Sequence, residues 1–159
     1  MPLPAPVALH HTCFVVRDVV KTARMLSDAL GIGPWNVWTL EPPEFRVGGE
    51  SRTVSFRLAL TTLGGGTYEL VQPHAGVSVF DEQLATQGEG FHHTCLLYAS
   101  ADALEDVKAH LVKQGRTVIQ EGRAGDVFEF AYVAFPEIGS AVELLYIDLT
   151  KMPPPEMVI

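Results

Sequence analysis

The apolar positions of this 159-residue chain change period several times, and each change marks an element. LHHTCFVV, at 9–16, is an apolar run of strand length. VVKTARMLSDALGIG follows it, with Val19, Ala23, Leu26 and Leu30 near helical spacing and glycine stops at Gly31 and Gly33. WNVWTLE (35–41), TVSFRLAL (53–60) and GTYELVQP (66–73) then read as strands, completing a β-α-β-β-β series. A short helical bridge, VFDEQLATQG (79–88), leads to a second series. There FHHTCLLY (91–98) is the strand, and SADALEDVKAHLVKQG sets Leu104, Val107 and Leu111 on one helical face. Ser100 is placed to cap this helix and Gly115 to stop it. RTVIQEG (116–122), VFEFAYVAF (127–135) and SAVELLYI (140–147) close the series. PPEFRVGG, LGGG and FPEIGS separate the strands, and the proline-rich ends MPLPAP and KMPPPEMVI predict extended arms.

The two series are one pattern written twice. Placing His11 on His93, 82 residues later, aligns Leu9 with Phe91, His10 with His92, Thr12 with Thr94 and Cys13 with Cys95. The pattern predicts a single α+β domain over 1–159 built from two pseudo-symmetric βαβββ modules. Module one covers about 8–73, a linker about 74–89, module two about 90–148, and a tail 149–159.

Composition narrows the function classes. Hydrophobic residues make up 47% and charged residues 19%, enough apolar material for a packed interior. Eleven Lys+Arg against nineteen Asp+Glu give a formal charge of −8, which argues against nucleic acid and anionic membrane surfaces as partners. No apolar run reaches the ~18–20 residues of a membrane span. The N-terminal MPLPAPVALHH lacks the regions of a signal peptide, and two cysteines do not make a disulfide scaffold, so a reducing cytoplasm is expected.

Candidate chemistry lies in the last strand of each series. Each holds one carboxylate in an apolar run, Glu69 in TYELV and Glu143 in AVELL, at 58 and 50 residues from His11 and His93. Strand alternation points His11, Cys13 and Val15 one way and leaves Phe14 and Val16 for the helix-packed face. A mid-strand carboxylate without a partner costs several kcal/mol, roughly, in desolvation. Two glutamates and two histidines offset that cost together by binding one divalent cation, and this donor set suits Zn, Ni, Co, Fe or Mn better than Mg or Ca. Cys13 and Cys95, on the same face as the histidines, read as small core fillers, with thiolate ligation or a redox pair as alternatives. The glycines at 64–66 make a hairpin turn and not a phosphate loop, since no lysine or helix follows.

At these residues the chain resembles the vicinal oxygen chelate superfamily, specifically its glyoxalase and methylmalonyl-CoA epimerase-like group. LHHTCFVV is similar to that group's opening strand and GEGFHHTCLLY (88–98) to its G-x-G-[LF]-H-H segment. YELVQP and VELLY resemble its two Glu- or Gln-bearing strands, and LGIGPW (30–35) its helix exit. The resemblance covers roughly 8–148. It implies an open barrel-like mixed sheet around a metal held by His11, Glu69, His93 and Glu143, and commonly a homodimer. His10 and His92 would face the other side of their strands in a supporting role. The chain departs from the group at one point: its epimerases carry a further glutamate, acting as a base, where TVSFRLAL has Arg57. Arg57 reads as a salt-bridged surface residue or as an anchor for a substrate carboxylate or phosphate. Glu129, in VFEFAY, reads as an exposed strand carboxylate or as a replacement base.

The resulting expectation is a metal-dependent lyase or isomerase acting on a small carbonyl or thioester substrate through an enolate. Glu143 or Glu69 would carry the proton, with Glu129 in reserve. The alternatives are a protein that sequesters an antibiotic-type small molecule, and an iron-dependent ring-cleaving dioxygenase.

Overall fold

The computed structural model describes residues 2–159. The elements run β1 (Ala8–Val15), α1 (Val19–Leu30), β2 (Asn36–Leu40), β3 (Glu44–Val47), β4 (Glu50–Ser51), β5 (Ser55–Leu63), β6 (Gly66–Ala75) and α2 (Val79–Thr86). They continue with β7 (Gly90–Leu97), α3 (Ala101–Lys113), β8 (Val118–Ala124), β9 (Phe128–Phe135), β10 (Ser140–Ile147) and β11 (Met157–Val158). Local signals account for the helix ends. Asp18 accepts from the Lys21 backbone N–H and Ser100 from that of Ala103, and Gly31 closes α1 in the left-handed region at φ 68°.

All strands join one mixed sheet in the order β11-β2-β5-β6-β1-β7-β10-β9-β8-β3-β4. Its centre is an antiparallel pair, β1 with β7, flanked by parallel β6 and β10, so the two series mirror one another about that pair. The sheet curls into a half-barrel. β5 and β9 stand five strand spacings apart, about 24 Å in a flat sheet, yet the Phe56 and Phe130 rings are 6.5 Å apart. The three residues 41–43 suffice to link β2, near one end of the sheet, to β3, near the other.

The curl divides the core into an inner and two outer parts. Inside lie Cys13, Val15, Phe56, Val71, Cys95, Phe130, Tyr132 and Leu145, with Phe80 entering from α2 and Phe45 from β3. Outside, α1 packs Val19 and Ala23 on Val16, Val37, Ala59 and Leu70, while α3 packs Leu104 and Val107 on Val133 and Leu144. Phe14 and Val16 thus face α1, as strand alternation requires.

Three strands lie where the sequence pattern gave loops or arms. β3 and β4 form inside the stretch PPEFRVGG and its neighbours, and β3 pairs with β8. β11 forms in the tail and pairs with β2, with the Ile159 N–H and C=O both bonded to Trp35. Each owes its pairing to a distant edge, which a local period cannot show. A second difference concerns the paired histidines. The β1–β7 register jumps between Leu9/Leu96 and His11/Cys95, and again between Cys13/His93 and Phe14/Phe91, leaving His10 and His92 as extra residues at β-bulges. The bulges cancel the alternation that would have sent them to the opposite face, and their rings swing beside those of His11 and His93.

Candidate metal centre

The four central strands carry the site. In β1 and β6 the register sets His11 beside Thr67 and Cys13 beside Glu69. In β7 and β10 it sets His93 beside Ala141 and Cys95 beside Glu143, the same offset in both halves. Each glutamate thus lies one diagonal step from its histidine, on the inner face. The antiparallel β1–β7 pair brings the two sets together.

The resulting cluster is compact and buried. His11 Nε2 lies 3.0 Å from Glu143 Oε2, 3.3 Å from Glu69 Oε2 and 3.2 Å from His93 Nε2. His93 Nε2 is 3.0 Å from the same Glu143 oxygen. None of the four residues is more than 5% exposed. Donor atoms bound about 2.1 Å from one ion are about 3.0 Å apart at right angles and about 3.4 Å apart at tetrahedral angles. The observed spacings fall in that interval. Glu143 Oε2 makes no well-formed hydrogen bond despite its two close nitrogens. A buried carboxylate oxygen left in that condition is costly, and a cation at the focus of these atoms removes the cost. His11, His93 and Glu143, whose ligand atoms all lie within 4.8 Å of one another, therefore fit a divalent ion, with Glu69 beside His11.

Without an ion, a proton carries the positive charge. Burial opposes charge on His11, but the negative charges of Glu69 and Glu143 beside it override burial and push its pKa up to about 9. Burial likewise opposes charge on Glu143, yet His93 and His11 hold its carboxyl well below the usual carboxylate range. Behind these two rings, His10 Nδ1 is 2.8 Å from His11 Nδ1 and His92 Nδ1 is 2.8 Å from His93 Nδ1. Burial and the neighbouring His93 lower His92 to about 3, so its ring is neutral and can accept a proton-bearing nitrogen.

The remaining candidates are placed as follows. Cys13 and Cys95 are free, buried thiols. Burial first, and then the neighbouring Glu69 and Glu143 carboxylates, push both pKa values up. Glu129 follows the outward parity of Ala131 and Val133, turned from the cluster toward α3. There burial and the neighbouring Glu105 push its pKa up to about 7. Arg57 shares the outer face with Ala59 and makes an ion pair of 3.0 Å with Glu156 of the C-terminal segment. Neither faces the cluster, because strand parity sends both outward. Tyr132, which the sequence reading passed over, packs its ring 4.6 Å from that of His93. Its shared parity with Phe128 and Phe130 was the available signal.

A family model for the Glyoxalase/Bleomycin resistance protein/Dioxygenase superfamily matches residues 10–135. No curated protein matches the chain. Among solved structures, the Mycobacterium tuberculosis methylmalonyl-CoA epimerase superposes with a TM-score of 0.64 at 18% identity, covering 94% of each chain. A variant of the Streptomyces coelicolor methylmalonyl-CoA epimerase, in complex with 2-nitronate-propionyl-CoA, gives 0.63 at 22% identity, covering 94% of this chain and 100% of that one. A hypothetical protein from Bacillus halodurans gives 0.65 at 17% identity, covering 92% and 98%. At these identities the likeness is one of fold.

Proposed function

The chain belongs to the Glyoxalase/Bleomycin resistance protein/Dioxygenase superfamily, and on that premise we propose that it is a metal-dependent lyase or isomerase. Its substrate is a small carbonyl compound or thioester, and its metal is one divalent ion held by His11, Glu69, His93 and Glu143. The observation that carries this reading is the buried Glu143 Oε2, which lacks a hydrogen bond and has His11 Nε2 and His93 Nε2 each 3.0 Å away, with Glu69 Oε2 3.3 Å from the same His11 nitrogen. The mixed nitrogen and oxygen donors favour Zn, Ni, Co, Mn or Fe.

Such an ion, when bound, supplies Lewis acidity that stabilises charge developing on a substrate carbonyl oxygen as the adjacent carbon loses a proton. The chain's own residues do the rest. Glu143, close to both ring nitrogens, is the anchored carboxylate, whereas Glu69 touches only His11 among them. Glu69 is therefore the better placed to take the α-proton and return it, with Glu143 as the other carrier. Glu129 drops out of this role, because it faces α3. The inner aromatic wall of Phe56, Phe80, Phe130 and Tyr132 excludes water from the proton's path. The ligand of the Streptomyces coelicolor epimerase variant supports an acyl-CoA thioester as the first substrate class. Exposed Leu9, Tyr68 and Phe91 on adjacent strands support pairing as a homodimer.

The test combines metal analysis with isotope exchange. The reading expects about one metal per chain, and exchange of the substrate's α-proton in heavy water that Glu69→Gln slows by at least about 10²-fold. A metal-free protein that binds an aromatic ligand tightly would favour sequestration. Oxygen uptake without α-proton exchange would favour ring cleavage.

A further inference from the structure

We infer that His10 and His92 are positioning residues that hold His11 and His93 in the tautomer presenting the Nε2 lone pair to the metal. The inference rests on the metal reading of the cluster above.

Neighbouring residues in a regular strand point to opposite faces. The chain breaks that rule twice, at equivalent places in its two halves, by inserting His10 and His92 as bulge residues in β1 and β7. A bulge gives up regular ladder pairing and re-aims a side chain. Here both bulges lead to the same contact, Nδ1 to Nδ1 at 2.8 Å, in backbones 82 residues apart. The contact has a definite proton assignment. A neutral imidazole has one N–H and one lone pair. If the His11 Nε2 lone pair faces the ion, its proton is on Nδ1, and His10 must accept it there and carry its own proton on Nε2. The same holds for His93 and His92. The opposite assignment would put a proton on each ligand nitrogen and block the site. An outer partner of this kind sets the ring's orientation and raises its basicity.

The two positions differ in a useful way. His92 is buried between Phe80 and Tyr132, whereas His10 is only half-buried. His10 can therefore be replaced with less effect on packing.

The experiment measures Co(II) affinity by chelator competition, together with the visible spectrum of the Co(II) form and the melting of the metal-free protein. The proteins are wild type, His10→Leu, His10→Asn, His92→Leu and His92→Asn. The leucine variants should lose about 10–100-fold in affinity and shift the visible bands. The asparagine variants, whose Oδ1 replaces the Nδ1 acceptor, should recover most of both. Leucine variants equal to wild type would overturn the inference while leaving the metal site standing. An equal loss in leucine and asparagine variants would also overturn it, because packing alone would then explain the effect. A wild type that takes up no Co(II) would overturn the reading beneath it. If His92→Leu does not fold, the His10 pair decides.

Discussion

At the residue scale, His11 connects the proposed metal site to the protein's pH response. Its folded pKa, about 9, lies above the ordinary value of 6.5. Its contribution to the stability of chelator-treated protein is thus complete below about pH 6.5 and disappears as the pH rises through about 9. Glu143 acts in the opposite sense, since its lowered pKa contributes stability above its ordinary value of 4.5 that is lost in acid. Thermal melts of the metal-free protein should accordingly be highest between about pH 5 and 6.5 and decline toward pH 9. Metal uptake displaces the His11 proton, so the apparent Kd should tighten with pH up to about 9 and then level off. A metal affinity flat between pH 6.5 and 9 would contradict this. The sequence could show His11, His93, Glu69 and Glu143 because the repeat singles them out. It could not show the turn of His10 and His92, because a bulge arises from the pairing of two strands and leaves no local period.

At the scale of elements, the strands missing from the sequence pattern hold the margins of the sheet. β3 seats Phe45 against Phe130, with Gly122 of β8 between them. A Cβ at Gly122 would lie 2.7 Å from Phe130 ring carbons and 3.1 Å from Phe45. Gly122→Ala should therefore cost about 1–3 kcal/mol by overpacking, read as a lower melting temperature at about 2–4 °C per kcal/mol. At the other margin, the Arg57–Glu156 ion pair is partly exposed and worth less than about 1 kcal/mol. Arg57→Ala should leave metal content and KM unchanged, whereas a substrate anchor at this position would show a raised KM. Helices and long strands were legible because their period and caps are local. β3, β4 and β11 are short, and their partners lie far away in the chain.

At the scale of the whole molecule, the repeat and the curl serve one arrangement. Each half supplies one imidazole and one carboxylate, and the antiparallel β1–β7 pair brings His11, His93 and Glu143 together with Glu69 beside His11. An ion held there ties the halves together and stabilises the fold by mass action, about 2.7 kcal/mol at a free concentration 100 times Kd. The duplication was visible in HHTC, but the closeness of Phe56 to Phe130 depends on curvature, which no period encodes. The most direct test is the metal content of wild type, His93→Ala and Glu143→Ala after incubation with Co(II) and gel filtration, with circular dichroism to confirm folding. The account predicts one equivalent per wild-type chain and almost none in either folded variant. A metal-free wild type, or variants that keep a full equivalent, would contradict it.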